Sequence, residues 1–230
     1  MNSKRILVTG ASRGIGFELV KLLSEKGHKV LAVSRNTKNL IEINDSYLSL
    51  IPFQAEITSK EDLTRIQGLV KDEWGSLDVL IHNAGTLLFK PFAETSEADF
   101  IEVYKVNVFA VSELTRVLDP YLISGAHVVA ISSMGGVQGS MKFPGLAAYS
   151  SSKGAVITLM ELLAEEYKER KVSFNTLALG AVQTEMLEEA FPDYKAPVTA
   201  VEMADYIAEF ALKGHNVFNG KVLPVSNSTP

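Results

Sequence analysis

Two groups of residues in this chain carry side chains and spacings suited to chemistry. The first is Tyr149-Ser150-Ser151-Ser152-Lys153. Four residues of helix turn about 400°, so a phenol and an ammonium at this spacing leave one face a single turn apart. A free phenol titrates near pH 10, and holding its anion near neutrality asks for roughly 4 kcal/mol. A neighbouring ammonium in a partly desolvated cleft supplies a contribution of that sign. Alone, such a pair arises often by chance. The second group is Thr9-Gly10-Ala11-Ser12-Arg13-Gly14-Ile15-Gly16, set between an apolar run at 5–9 and an amphipathic stretch at 15–26. Glycines permit positive φ and let the backbone approach a ligand without Cβ atoms intervening. The helix N-terminus behind them offers unpaired N–H groups to an anion. Gly10, Ser12, Arg13, Gly14, Ile15 and Gly16 are therefore expected around a pyrophosphate, which makes the bound molecule a dinucleotide.

The next strand bears on which dinucleotide. An Asp or Glu about 20 residues on, at the tip of the second strand, would hold a ribose 2′-hydroxyl and select NAD(H). Here the tip reads Ala32-Val33-Ser34-Arg35-Asn36, without a carboxylate. Arg35 at that tip beside Ser34, with Arg13 in the glycine turn, suits a 2′-phosphate, because a guanidinium fork matches phosphate geometry. This favours NADP(H), with NAD(H) the less suited alternative.

The elements that must position these groups alternate along the chain. Apolar β-branched runs at 5–9, 29–34, 48–53, 79–83, 127–132, 172–179 and 221–225 are interleaved with helical periodicity at 15–26, 60–74, 98–121, 149–170 and 200–213. Strands apolar on both faces and joined by amphipathic helices imply an α/β fold. The expected architecture is a doubly wound, Rossmann-like parallel sheet of about seven strands with helices on both faces. Nothing resembling a linker or repeat interrupts 1–230, so one domain is expected. The polar stretch 36–47 implies a short second helix. Residues 185–197, with two prolines, break the alternation and are expected to form a short substrate flap.

Composition sets limits. A net charge of −5 gives no general attraction to nucleic acid or an anionic membrane. With no cysteine, disulfides, thiolate metal sites and cysteine nucleophiles are excluded together. No metal is expected. No apolar run approaches the ~18 residues of a membrane span, and no signal-like segment precedes the first strand. A cytoplasmic protein without a membrane or nucleic-acid partner is the expectation.

Taken in order, Thr9-Gly10-x-x-x-Gly14-x-Gly16, His82-Asn83-Ala84-Gly85, Asn107, Ser133 and Tyr149-x-x-x-Lys153 resemble the short-chain dehydrogenase/reductase family, on its NADP(H)-preferring carbonyl and ketoacyl reductase branch. The resemblance runs from the first strand to the last. It implies that hydride passes between NADP(H) and a carbonyl or alcohol substrate, with Tyr149 as general acid or base. Lys153 would lower the Tyr149 pKa and bind the nicotinamide ribose. Ser133, rather than Ser132, would bond the substrate oxygen, and Asn107 would hold a relay water. Asn83, Ala84 and Gly85 would flank the adenosine ribose, Glu56 and Ile57 the adenine, and Gly180, Val182 and Thr184 the carboxamide and phosphates. His82 replaces a family Asn, as a structural substitution. Leu179 replaces a family Pro before Gly180, losing its fixed φ.

Two alternatives accompany this reading: a regulatory module that binds NADP(H) without turnover, and an enzyme like the sugar-nucleotide epimerases and dehydratases. The full Ser–Tyr–Lys–Asn set argues against the first, and the glycine spacing and chain length against the second. Gly135, Gly136, Gly139, Met141, Phe143, Leu187 and Phe191 suggest an apolar substrate pocket. A homodimer or homotetramer is expected through the two long helices, with Phe109, Leu114, Val156, Met160 and Leu163 as interface or core.

Overall fold

The computed structural model describes residues 3–226, so the first two and last four residues of the expected 1–230 domain lie outside it. Its strands are β1 (Arg5–Thr9), β2 (Lys29–Ser34), β3 (Leu50–Gln54), β4 (Leu77–His82), β5 (Leu122–Ser133), β6 (Ser173–Leu179), β7 (Val182–Gln183), β8 (Val198–Thr199) and β9 (Lys221–Val225). The helices are α1 (Gly14–Glu25), α2 (Lys38–Asn44), α3 (Lys60–Leu69), α4 (Glu97–Tyr104), α5 (Ala110–Leu118), α6 (Ala147–Glu166), α7 (Glu185–Ala190) and α8 (Ala200–Lys213). Among the described residues, seven strands form one parallel sheet in the order β3-β2-β1-β4-β5-β6-β9. No described helix is long and apolar enough to cross a membrane.

Alternation of side chains along each strand divides the core in two. Ile6, Val8, Val129 and Ile131 face α1 and α8, joined there by Leu19, Leu23 and Ile207. Leu7, Leu80, Val128 and Ala130 face the other way, toward Leu63 of α3, Leu114 of α5 and Met160 of α6. Both faces are covered, which is why the strands read as unbroken apolar runs. Strand order reverses between β1 and β4, and a crevice for a ligand opens at the carboxyl ends of such strands.

Three local features differ from the periodicity. The expected 98–121 helix is interrupted by a π-helical turn at Lys105–Phe109, centred on Asn107. One extra residue in a turn rotates the side chain off the regular face, a device common at functional sites. The 185–197 segment holds only the six-residue α7, and its ends are joined by a small parallel pair, Val182↔Val198 and Gln183↔Thr199. Of the apolar positions on the long helices, Leu114, Val156 and Met160 are core residues and Leu163 packs against the core. Phe109 is exposed, together with Ile101 and Leu162.

Two buried histidines are built in as neutral groups. His127 Nδ1 lies 3.0 Å from the Ala211 carbonyl and must donate, while Nε2 lies 3.0 Å from Asn175 Nδ2 and must accept. A second ring proton would face an amide NH₂. Burial lowers the His127 pKa to about 4. His82 Nε2 sits 2.9 Å from Thr115 Oγ1, whose hydroxyl donates to Val111 O, and burial lowers its pKa to about 3. In both cases the folded value lies below the unfolded one. Stability is complete above pH 6.5, and is lost as falling pH protonates the unfolded chain but not the folded one. Urea unfolding at pH 6.5 and pH 5 should therefore differ by about 2 kcal/mol per histidine. His127→Gln should remove its own share of that difference, about 2 kcal/mol, and an unchanged slope would show that His127 is not held neutral.

Candidate active site

The glycine turn is fixed by backbone crowding. A Cβ on Gly16 would lie 2.2 Å from Gly10 O and 2.5 Å from Asn83 Nδ2, and one on Gly10 would lie 2.7 Å from Ala84 Cα. Asn83 Nδ2 donates to both Thr9 O and Gly10 O at 3.1 Å, and Ala84 N donates to Thr9 Oγ1 at 3.1 Å. Asn83 thus braces β1 to β4, and Ala84 lies against the turn. Gly14 differs: its φ is +54°, and a Cβ there would come no closer than 3.4 Å, to Glu185 and Thr184. Its open side faces the cleft lined by Ser12, Arg13, Gln183 and Thr184. Ile15 packs against the core beneath.

At the tip of β2, Ser34 is buried and its hydroxyl closes the local turn onto Asn36 O at 3.0 Å. Arg35 is 82% exposed and 3.8 Å from Glu56, which leaves its guanidinium free to meet a ligand. A second cleft is lined by Arg35, Gln54, Ala55, Glu56, Asp62 and Arg65, with Ile57 buried behind it. Arg65 was not apparent from sequence. It stacks on Phe53 at 5.1 Å and pairs with Asp62.

At the end of β5, Gly135 N donates to Ser133 Oγ at 3.2 Å, so the Ser133 hydroxyl is left to donate to the Tyr149 oxygen. Ser132, one residue earlier, is buried and bonded to Lys153 O at 2.9 Å. It braces β5 against α6, whereas Ser133 is the member of the pair that reaches Tyr149. Lys153 is buried, with Nζ donating to Ile131 O at 2.8 Å and sitting 5.8 Å from the Tyr149 ring centroid. Burial lowers the Lys153 pKa to about 8. Burial raises that of Tyr149, opposed by the Ser133 hydrogen bond. The Ser133 hydroxyl favours the phenolate, and the Lys153 ammonium lies on the same side, one helical turn away, as the spacing implies.

Asn107 is buried in its π-helical turn, with both amide hydrogens and one lone pair of its oxygen engaged by the protein. Its Nδ2 donates to Thr86 O and Ser152 Oγ, both at 2.9 Å, and its Oδ1 accepts from Thr86 N at 2.8 Å. It thereby locks the loop after β4 to α6. A Cβ on Gly85 would lie 3.3 Å from Lys153 Nζ and 3.4 Å from Asn107 Oδ1, so Gly85 leaves room for both. Ser152, which completes this junction, was not singled out from sequence. A serine following a tyrosine in a Ser-rich helix start gives no signal of its own.

Across the cleft, Val182 is buried in β7 and Thr184 caps α7, accepting from Leu187 N at 3.3 Å. Gly180 N donates to Val225 O at 2.9 Å, and a Cβ there would meet Ser226 Oγ at 2.3 Å. Leu179, in register with Val225 and Ser133, simply continues β6. Gly135 and Gly136 are packing positions against Ser150 and the Lys153 backbone. Met141 and Phe143 are exposed on the stretch leading into α6. Phe191 of the flap meets Phe89 edge-on at 5.0 Å, and Phe89 was also missed in the sequence. No group of three or more acidic or histidine side chains able to hold a metal occurs among the described residues.

The family model described as short chain dehydrogenase matches residues 4–195. The chain is 31% identical over 182 residues to carbonyl reductase (NADPH) 2 of Sus scrofa, spanning 79% of this chain and 73% of that protein. The solved structure of a 4-hydroxyisoleucine dehydrogenase complexed with NADH is 25% identical, with a TM-score of 0.87 over 98% of each chain. That of ElxO with NADP bound is 26% identical, with a TM-score of 0.85 over 98% of each chain.

The two kinds of glycine predict opposite failures. Gly16→Ala should lower the melting temperature sharply or prevent folding, since backbone must move. Gly14→Ala should cost about 1 kcal/mol for its left-handed backbone and leave the fold intact, while losing nucleotide binding in a fluorescence titration. Equal melts for the two variants would contradict this division.

Proposed function

The chain belongs to the short-chain dehydrogenase family and is an oxidoreductase, and we propose that it uses NADPH to reduce an apolar carbonyl compound. The observation that carries this reading is the set of Ser133, Tyr149 and Lys153 at the carboxyl ends of the strands, beside an unobstructed glycine turn. The turn fits a dinucleotide: the first turn of α1 contains no acidic residue, and Gly14 leaves its N–H groups approachable. Ser12, Gly14 and Thr184 would hold the phosphates, Arg13 and Arg35 the 2′-phosphate, Asn83, Ala84 and Gly85 the adenosine ribose, and Glu56 and Ile57 the adenine. Gly180 and Val182 would line the carboxamide end. Bound there, the nicotinamide supplies the hydride.

The chain's own residues supply the proton. Burial keeps Tyr149 protonated at neutrality, which suits an acid and therefore the reductive direction. Ser133 would donate to the carbonyl oxygen as charge develops there, and Tyr149 would deliver its proton to that oxygen. Lys153 would bind the ribose hydroxyls and oppose the charge left on the phenol. Asn107 would set the height of α6 through Ser152 and hold a relay water at its remaining lone pair. Phe89, Met141, Phe143 and Phe191 favour an apolar substrate at the mouth. We also propose that the protein forms a homodimer or homotetramer through the exposed Ile101, Phe109 and Leu162.

Tyr149→Phe should retain NADPH binding and lose about 10²–10⁴-fold in turnover, while Arg35→Ala should weaken NADPH much more than NADH. Near-normal turnover in the first variant, or equal losses in the second, would remove the acid or the cofactor assignment respectively. Light scattering should give a multiple of the 25.0 kDa chain mass, reduced to the monomer by Phe109→Lys. A monomeric wild type would exclude the interface.

A further inference from the structure

The arginine in the glycine turn is already occupied. Arg13 Nη1 lies 2.5 Å from Glu189 Oε1 and Nη2 lies 3.4 Å from Oε2, a fork-on-carboxylate pair between the turn and α7. Arg13 and Glu189 are both half-exposed or more. The flap brings two other carboxylates to the same rim, and neither is held by Arg13 as Glu189 is. Glu188 accepts from Gln183 Nε2 at 2.6 Å, and Glu185 Oε2 faces the open side of Gly14.

The flap is attached at few points. No residue from 185 to 195 is buried. Its ends are joined by the β7–β8 pair and by Ala196 N donating to Gln183 Oε1 at 2.8 Å. Between those ends, it is joined to the body by the ion pair Arg13–Glu189 on the nucleotide side and the ring contact Phe89–Phe191 on the substrate side. An element with so little buried surface opens at low free energy.

We propose that Glu189 competes with the cofactor's 2′-phosphate for Arg13, so that this flap carboxylate moderates the preference for NADPH over NADH and releases α7 when displaced. The inference rests on the NADPH reading above. A phosphate offers the guanidinium a charge of up to two and the same bidentate fit, whereas an exposed carboxylate pair contributes little. NADPH therefore wins Arg13, but against a resident rival. NADH carries no phosphate at that position and leaves the pair intact. Phe191 lies two residues beyond Glu189, so loss of the ion pair also frees the ring that meets Phe89 across the substrate mouth.

The test is nucleotide binding, read by nicotinamide fluorescence, in wild type, Glu189→Gln, Glu188→Gln, Arg13→Ala and the Arg13→Ala/Glu189→Gln double variant. Glu189→Gln should tighten NADPH about two- to fivefold and leave NADH unchanged. Glu188→Gln should not reproduce the gain, and the gain should vanish in the Arg13→Ala background. Without nucleotide, amide exchange across 184–196 should be faster in Glu189→Gln than in wild type. Wild-type preference for NADPH that Glu189→Gln does not alter overturns the competition alone. So does a gain that Glu188→Gln matches or that survives loss of Arg13. A wild type that binds NADH more tightly, with no selective loss in Arg13→Ala, overturns the NADPH reading and this inference with it.

Discussion

One side-chain amide holds the two halves of the cleft together. Asn83 Nδ2 donates to the carbonyls of both Thr9 and Gly10, tying the end of β4 to the end of β1 where strand order reverses. Those carbonyls lie past the last β1–β4 partners, Val8 and Ile81, and a buried unpaired acceptor is expensive. The clasp is possible only because Gly10 and Gly16 carry no Cβ: either methyl would strike the opposing backbone or the amide itself. The position of the glycine turn relative to the loop after β4 follows, and with it the spacing between that turn and Lys153, which lies against Gly85 on that loop.

A second clasp of the same kind acts on the catalytic side. Asn107 spends its amide on Thr86 and Ser152, binding the β4 loop to the start of α6. The two asparagines thus grip opposite ends of the short stretch from 83 to 86. The ionisable groups that sit in this frame are held by burial rather than by one another. Lys153 is shifted down, Tyr149 up, and a serine hydroxyl counteracts the second shift. Both burial effects disfavour the charged form of the group. Anionic charge brought near Lys153 by a ligand would raise its affinity for a proton and strengthen its hold on that ligand.

How much of this was legible in the sequence depends on how local each cause is. The sheet was legible because strands buried on both faces must be continuously apolar, and the helices because an amphipathic stripe repeats. The glycine turn was legible because strand, glycines and helix are contiguous. The Tyr149–Lys153 spacing was legible because one helix carries both. The Asn107 turn was only half legible. An asparagine inside a helix signals a reason, but the π-helical turn that supplies it depends on Thr86 and Ser152, distant in sequence. The approach of Ser133 to the phenol was not legible, because the lysine shares a helix with Tyr149 while the serine arrives from β5. Exposed positions were mixed with core positions because helical periodicity gives a face, not what covers it; Leu114 and Met160 turn inward where Phe109 does not.

The flap marks the limit of such reading for a physical reason. Its residues are exposed, so no hydrophobic period constrains them, and its contacts join residues more than a hundred positions apart, as Arg13 and Glu189 do. A segment under no packing constraint is free to carry charges chosen for what they do to a ligand. Of the three carboxylates at 185, 188 and 189, the first two lie in the first turn of α7, where negative charge suits the helix dipole. The third is the one that holds Arg13, and a competing group of that kind penalises a ligand that cannot displace it. The rigid part of the molecule then holds Ser133, Tyr149 and Lys153 in place, and the loosely attached part carries the carboxylate that grips Arg13.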